Sequence, residues 1–178
     1  MCGIIGVKKN QFISDELIEK NKKRGGISSV IFTTPVGKFM HFRAPTSGSN
    51  LHNLSEAYPL TYKGYGLIGN GVINEKYFRN TKDDTNENDL YYILKNIVKL
   101  GINTLENVEG CFALCLFKPD GQVLLVRNTF PLYYNEYIFS SVKFNDGNML
   151  KNGIVYDWSN NIMLDLLDVK ESPFWIEE

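Results

Sequence analysis

From residue 101 onward the chain is almost wholly strand-forming, and no other feature limits its possible folds as much. Residues 110–118 are a nearly unbroken apolar run, the pattern of a strand buried on both faces. Pro119-Asp120-Gly121 supplies a turn, and residues 122–128, 133–141 and 154–158 follow as further strands. The first half differs. Ser14-Asp15-Glu16-Leu17 opens a helix with a capping hydroxyl, two acids in the first turn and lysines toward its end, and Arg24-Gly25-Gly26 stops it. A second helix spans residues 87–100, where Leu90, Ile93, Leu94, Ile97 and Val98 share one face and Gly101 ends the pattern. Residues 2–7 read as a short buried strand, and 29–33 and 38–43 as a hairpin closed by Thr34-Pro35-Val36-Gly37. Residues 44–57 form a polar loop, and 64–70 a glycine-rich strand that Asn70-Gly71 ends as a tight turn. Two helices among many short strands predict a layered α+β fold. With no internal repeat, low-complexity linker or compositional break, residues 1–178 are expected to form a single domain.

The charge pattern argues against several function classes. A net charge of −1, from 19 basic and 20 acidic residues with no block of one sign, offers no footprint for nucleic acid or anionic lipid. No stretch of about 18 apolar residues exists to span a membrane, and Lys8-Lys9 follow the short apolar start rather than precede it, unlike a signal peptide. Three cysteines without a CxxC pair, and two histidines, suit neither a zinc site nor a disulfide framework, so no metal or other cofactor is expected. The expected compartment is a reducing cytoplasm. Scarce arginine beside abundant lysine, asparagine and tyrosine hints at an AT-rich genome, and hence at a bacterial cell or the cytoplasm of a virus-infected host.

Cys2 stands directly behind the initiator methionine in Met1-Cys2-Gly3-Ile4-Ile5-Gly6-Val7. A small second residue permits removal of Met1, and Cys2 would then carry a thiol and a free α-amine together. The amine titrates near ~7.7–8.0 and the thiol near ~8.5, which places a base poised at working pH beside its own nucleophile. The competing reading is a buried core cysteine on a first strand.

Three further segments carry chemistry, each weakly by itself. His41-Phe42-Arg43-Ala44-Pro45-Thr46-Ser47-Gly48 puts an arginine fork at a strand end, suited to a carboxylate, with hydroxyls following. Gly69-Asn70-Gly71 offers a side-chain amide donor beside an unobstructed backbone N–H, the donor pair of an oxyanion hole. Thr85-Asn86-Glu87-Asn88-Asp89 sets two acids at a helix start, where a carboxylate can receive an ammonium group or simply complement the helix dipole. Carboxylate clamp, ammonium acceptor, oxyanion hole and nucleophile together fit an amino acid with a side-chain amide, and glutamine is the obvious candidate.

The same segments, in the same order, resemble class II glutamine amidotransferases, the N-terminal-nucleophile glutaminase domains. The start resembles theirs, and Arg24-Gly25-Gly26-Ile27-Ser28-Ser29 looks like their RG-x-x-S/A-A/S stretch. Residues His41 to Gly48 match H-x-R-x-x-T-x-G, and Asn70-Gly71-Val72-Ile73 with Phe78-Arg79 resembles NG-x-I followed by L-R. Glu87-Asn88-Asp89-Leu90 lies where the family carries D-T/S-E-V. Later, Glu109-Gly110-Cys111-Phe112-Ala113 and Val126-Arg127-Asn128 with Pro131-Leu132-Tyr133-Tyr134 resemble its G-x-F-A and R-D…P-L-Y-Y strands.

The resemblance implies a four-layer αββα sandwich of the N-terminal-nucleophile hydrolase type. It implies Cys2 as nucleophile with its α-amine as base, Asn70 and Gly71 as oxyanion hole, and Arg43 as carboxylate clamp assisted by Thr46 and Ser47. Glu87 would take the α-ammonium, and Arg24 would brace the first strand. Glu87 replaces the family's aspartate and is one methylene longer, which lets ammonium binding shift to Asp89. Ala44, Ser47 and Asn128 also differ from common family residues. Since the chain ends at Glu178 with no room for a synthase domain, the implied protein is a glutaminase that supplies ammonia to a separate acceptor enzyme. Phe174-Trp175-Ile176 is a candidate docking segment. Two alternatives share the scaffold: an amidohydrolase acting on another amide, and a non-catalytic interaction or regulatory protein.

Overall fold

A computed structural model of the chain describes residues 1–26, 28–44, 59–74 and 89–170. Thr46, Ser47, Glu87 and the Phe174–Ile176 segment therefore lie outside the described residues. In chain order the elements are β1 (Gly3–Lys8), α1 (Asp15–Arg24), β2 (Ser28–Thr33), β3 (Gly37–Arg43), β4 (Leu60–Tyr62), β5 (Tyr65–Ile73) and α2 (Asp89–Leu100). A short 3-10 helix (Ile102–Asn107) leads to β6 (Gly110–Phe117), β7 (Val123–Asn128), β8 (Tyr133–Tyr134), β9 (Ile138–Ser140), β10 (Asn148–Met149), β11 (Ile154–Asp157) and β12 (Ile162–Leu166).

The strands form two six-stranded sheets, ordered β10-β8-β9-β1-β3-β2 and β12-β11-β7-β6-β5-β4. The strand pairs are antiparallel, so the chain is α+β with two antiparallel sheets. Strand alternation sends successive side chains to opposite faces, and the buried clusters follow it. Ile4, Phe39, Ile68, Cys111, Ala113, Cys115 and Trp158 pack together between the sheets. On the other face of the second sheet, Phe112, Leu114 and Leu116 meet Leu90, Ile93, Leu94 and Ile97 of α2. Ile5, Met40 and Phe42, on the other face of the first sheet, meet Ile18 of α1. β6 thus buries both its faces, as its unbroken apolar sequence predicts. Aromatic edges fill the space between the sheets: Phe39 meets Phe117 at 4.8 Å between centroids, and Phe139 meets Trp158 at 5.0 Å. Each such ring contributes roughly 1.5–3 kcal/mol through burial.

Local signals explain the first helix. Ser14 Oγ accepts the Leu17 N–H at 3.2 Å, and Gly25 N–H closes the last turn on Lys22 O at 3.2 Å. Two expectations are corrected. Asn70-Gly71 is no turn: β5 runs straight through it, with Asn70 opposite Ala113 and Gly71 opposite Phe112. Long-range pairing with β6 overrides the local hairpin preference. The strand expected over residues 133–141 is two, because Asn135 Oδ1 accepts the N–H groups of Tyr137 and Ile138 and bends the chain between β8 and β9. Among the described residues, no helix is long and apolar enough to cross a membrane.

Candidate active site

Cys2 stands immediately before the first strand, and three features fix its place. Gly3 lies opposite Phe42 in the β1–β3 ladder, which continued one step brings Cys2 opposite Arg43. Any Cβ at Gly3 would collide with the main chain of Asn21, so glycine is what lets α1 lie directly on the strand. A fully buried polar cluster then holds the next residue: Ser141 Oγ accepts the Ile4 N–H at 2.6 Å, and Ser141 N–H donates to Ile4 O at 3.0 Å. Cys2 itself is half-buried. Its N–H donates to Asn70 Oδ1 at 3.1 Å across the gap between the sheets, and its Sγ lies 3.6 Å from Ala44 O.

Asn70 reaches Cys2 because β5 places it on the inner face, two residues after Ile68. It is buried, and its Nδ2 has no hydrogen-bond partner among the described residues. The neighbouring backbone can be traced from register. Asn74 N–H donates to Glu109 O at 2.9 Å, one step beyond the Ile73–Gly110 pair. Alternate residues of an antiparallel strand address the same neighbour. Asn70 and Val72 therefore bond into β6 as Asn74 does, while Gly71 and Ile73 turn their N–H groups to the opposite edge. There the Ile73 N–H meets Asp89 Oδ2 at 3.4 Å. Asp89 Oδ1 also accepts the Leu90 N–H at 2.9 Å, so one carboxylate ties the start of α2 to β5. Gly71 makes this contact possible: a Cβ there would stand 2.6 Å from Leu90 Cδ2.

The electrostatics place these groups around one thiol. Burial raises the Cys2 pKa above its ordinary value, the chain's α-ammonium and the Arg43 guanidinium oppose that rise, and Asp89 adds to it. Burial also raises the Asp89 pKa above its ordinary value, against the pull of three backbone N–H groups, those of Leu90, Ile73 and Asp89 itself. Arg43 is buried at the end of β3. Arg24, the last residue of α1, has its Nη2 3.4 Å from Met1 Sδ and its charge within reach of Cys2 and Tyr133.

Six residues singled out in the sequence thus gather at one end of the two sheets: Cys2, Arg24, Arg43, Asn70, Gly71 and Asp89. Sequence reasoning missed Asn21, Ser140 and Ser141, the buried cluster behind the first strand. A signal existed for Asn21, which repeats Leu17 at helical spacing and so sits as a polar residue on the apolar face of α1. Asn128, where the resembled family carries an acid, donates through Nδ2 to Gly110 O at 2.9 Å and Lys170 O at 2.6 Å. An ionised carboxylate has no donor for either carbonyl. No group of His, Cys, Asp or Glu among the described residues is arranged to hold a metal ion. Neither a protein-family model nor a curated protein matches the chain.

Proposed function

We propose that the chain is a glutaminase of the class II glutamine amidotransferase type, with Cys2 as its N-terminal nucleophile. The supporting observation is the 3.1 Å contact of Cys2 N with Asn70 Oδ1, while Asn70 Nδ2 remains buried without a partner among the described residues. An amide donor held beside a nucleophile is what a developing oxyanion needs, and the Gly71 N–H, turned away from β6, supplies the second donor. Met1 is exposed, so its removal would leave an α-amine at the position now occupied by the Cys2 amide.

In this mechanism the α-amine takes the thiol proton, and the sulfur attacks the side-chain amide carbon of glutamine. Asn70 Nδ2 and Gly71 N–H receive the negative charge on oxygen. The C–N bond then breaks as the α-ammonium returns its proton to the leaving nitrogen, which departs as ammonia. Water, deprotonated by the same amine, cleaves the γ-glutamyl thioester to glutamate and regenerates the thiol. Arg43 binds the substrate carboxylate and Asp89 its ammonium, with Thr46, Ser47 and Glu87 as further substrate contacts. Arg24 braces the start of the strand. The finer fold is a four-layer αββα sandwich of the N-terminal-nucleophile type, supported by the contact of each sheet with one helix on its outer face. The ammonia would pass to a separate acceptor enzyme.

The test is ammonia and glutamate release from glutamine, with intact mass reporting loss of Met1. The parent should be lighter by one methionine and active, and Cys2→Ala should be inactive. A Cys2→Ala protein as fast as its parent removes the mechanism.

A further inference from the structure

We infer that Ser141, held by Asn21, is a positioning residue that sets where the Cys2 sulfur stands; this rests on the glutaminase reading above. The β9–β1 ladder pairs Ser140 with Ile5, so Ser141 faces Ile4. A regular antiparallel pair at that position would exchange two main-chain hydrogen bonds. Only one is of that kind, Ser141 N–H to Ile4 O at 3.0 Å. The other, Ile4 N–H, ends on the Ser141 hydroxyl at 2.6 Å. The side chain thereby completes the last rung where β9 has ended. Beyond that rung Gly3 has its ladder partner on the β3 side alone. Ser141 is therefore where two-sided support of the first strand stops, two residues short of the thiol.

The hydroxyl is itself held. Asn21 Oδ1 lies 3.3 Å from Ser141 Oγ, and Asn21 Nδ2 donates to Leu17 O at 2.9 Å and Ser140 Oγ at 2.8 Å. Ser140 Oγ also accepts the Val142 N–H at 3.0 Å. All three side chains are at most 1% exposed. Burying such polar groups costs desolvation that an apolar packing would avoid, and the benefit here is a backbone fixed in one register beside the nucleophile. The oxyanion donors sit on the other sheet, so any drift of the first strand changes the distance between sulfur and donors. Displacements of about 1 Å in such geometry cost on the order of 100-fold in rate.

The experiment compares the parent with Ser141→Ala, Ser141→Thr and Ser141→Val, the last two being matched in shape and differing in the hydroxyl. Glutaminase kinetics, thermal midpoint and the pH profile of Cys2 alkylation by iodoacetamide are measured on each folded, Met1-processed protein. Cys111 and Cys115 are fully buried, so mass spectrometry assigns the modified thiol. Ser141→Ala and Ser141→Val should lower kcat roughly 10- to 100-fold, with KM within about twofold, and should move the alkylation midpoint. Ser141→Thr should restore both. Lower thermal midpoints with unchanged kcat and alkylation profile would overturn the inference, as would failure of every Ser141 variant to fold. A parent inactive on glutamine would instead overturn the glutaminase reading, and the alkylation profile would still decide whether Ser141 positions the thiol.

Discussion

Truncating Asn70 to alanine separates the demands of folding from those of the proposed chemistry. The side chain makes one hydrogen bond, Oδ1 to the Cys2 N–H at 3.1 Å, and buries one donor, Nδ2, with no partner among the described residues. Losing the bond removes about 0.5–1.5 kcal/mol, whereas losing an unsatisfied buried donor returns about 1–3 kcal/mol. Asn70→Ala should therefore range from about 0.5 kcal/mol less stable to about 2.5 kcal/mol more stable than the parent. The same truncation deletes an oxyanion donor, so kcat should fall about 10²- to 10³-fold. Urea unfolding followed by tryptophan fluorescence gives the first quantity, and ammonia release from glutamine the second. A variant destabilised by more than about 2 kcal/mol that keeps kcat within about tenfold of the parent would refute the argument.

Gly71→Ala should destabilise the fold by about 1–3 kcal/mol, because the new Cβ would stand 2.6 Å from Leu90 Cδ2 and the buried Leu90 side chain must repack. It should also raise KM more than it lowers kcat, since Leu90 directly follows Asp89 and donates its N–H to that carboxylate; thermal melts and saturation curves check the two effects. Burial raises the Asp89 pKa, so the folded protein holds that proton more tightly than the unfolded chain does. The stability it contributes is complete below the ordinary aspartate pKa and is lost as pH rises through the raised value. Asp89→Asn should consequently be more stable than the parent at about pH 7 and gain nothing below about pH 4, while binding glutamine less well. Urea midpoints for the pair that differ equally at both pH values would contradict this.

Much of the scaffold was legible because its signals are local. Ser14 caps α1 as its position predicts, and the hairpin turn over residues 34–37 joins β2 to β3. The apolar stripe of Leu90, Ile93, Leu94 and Ile97 buries as one face of α2, with Val98 packed at its edge. The described helix begins at Asp89. What local patterns cannot carry is pairing between distant segments. Asn70-Gly71 has the composition of a hairpin turn, but β6 extends the strand past it, and the glycine serves the approach of Leu90. The short strands β4, β10 and β12 escaped notice because two or three paired residues, or an exposed edge, leave no burial period to read. At the site, the candidate groups were chosen by chemical type, and that choice brought Cys2, Arg43, Asn70 and Asp89 to one place. The Asn21–Ser140–Ser141 cluster was not legible as a cluster: Asn21 shows only as a polar residue on the apolar face of α1, and its two serine partners lie about 120 residues further on.

β1, the earliest described strand in chain order, is also an interior strand, flanked by β3 on one side and by β9 on the other. Its second neighbour is complete only at Ser140. At translation speeds of roughly 5–20 residues per second, that interval lasts on the order of ten seconds. Throughout it β1 can pair with β3 alone, and the rung between Ile4 and Ser141 has no partner segment to close on.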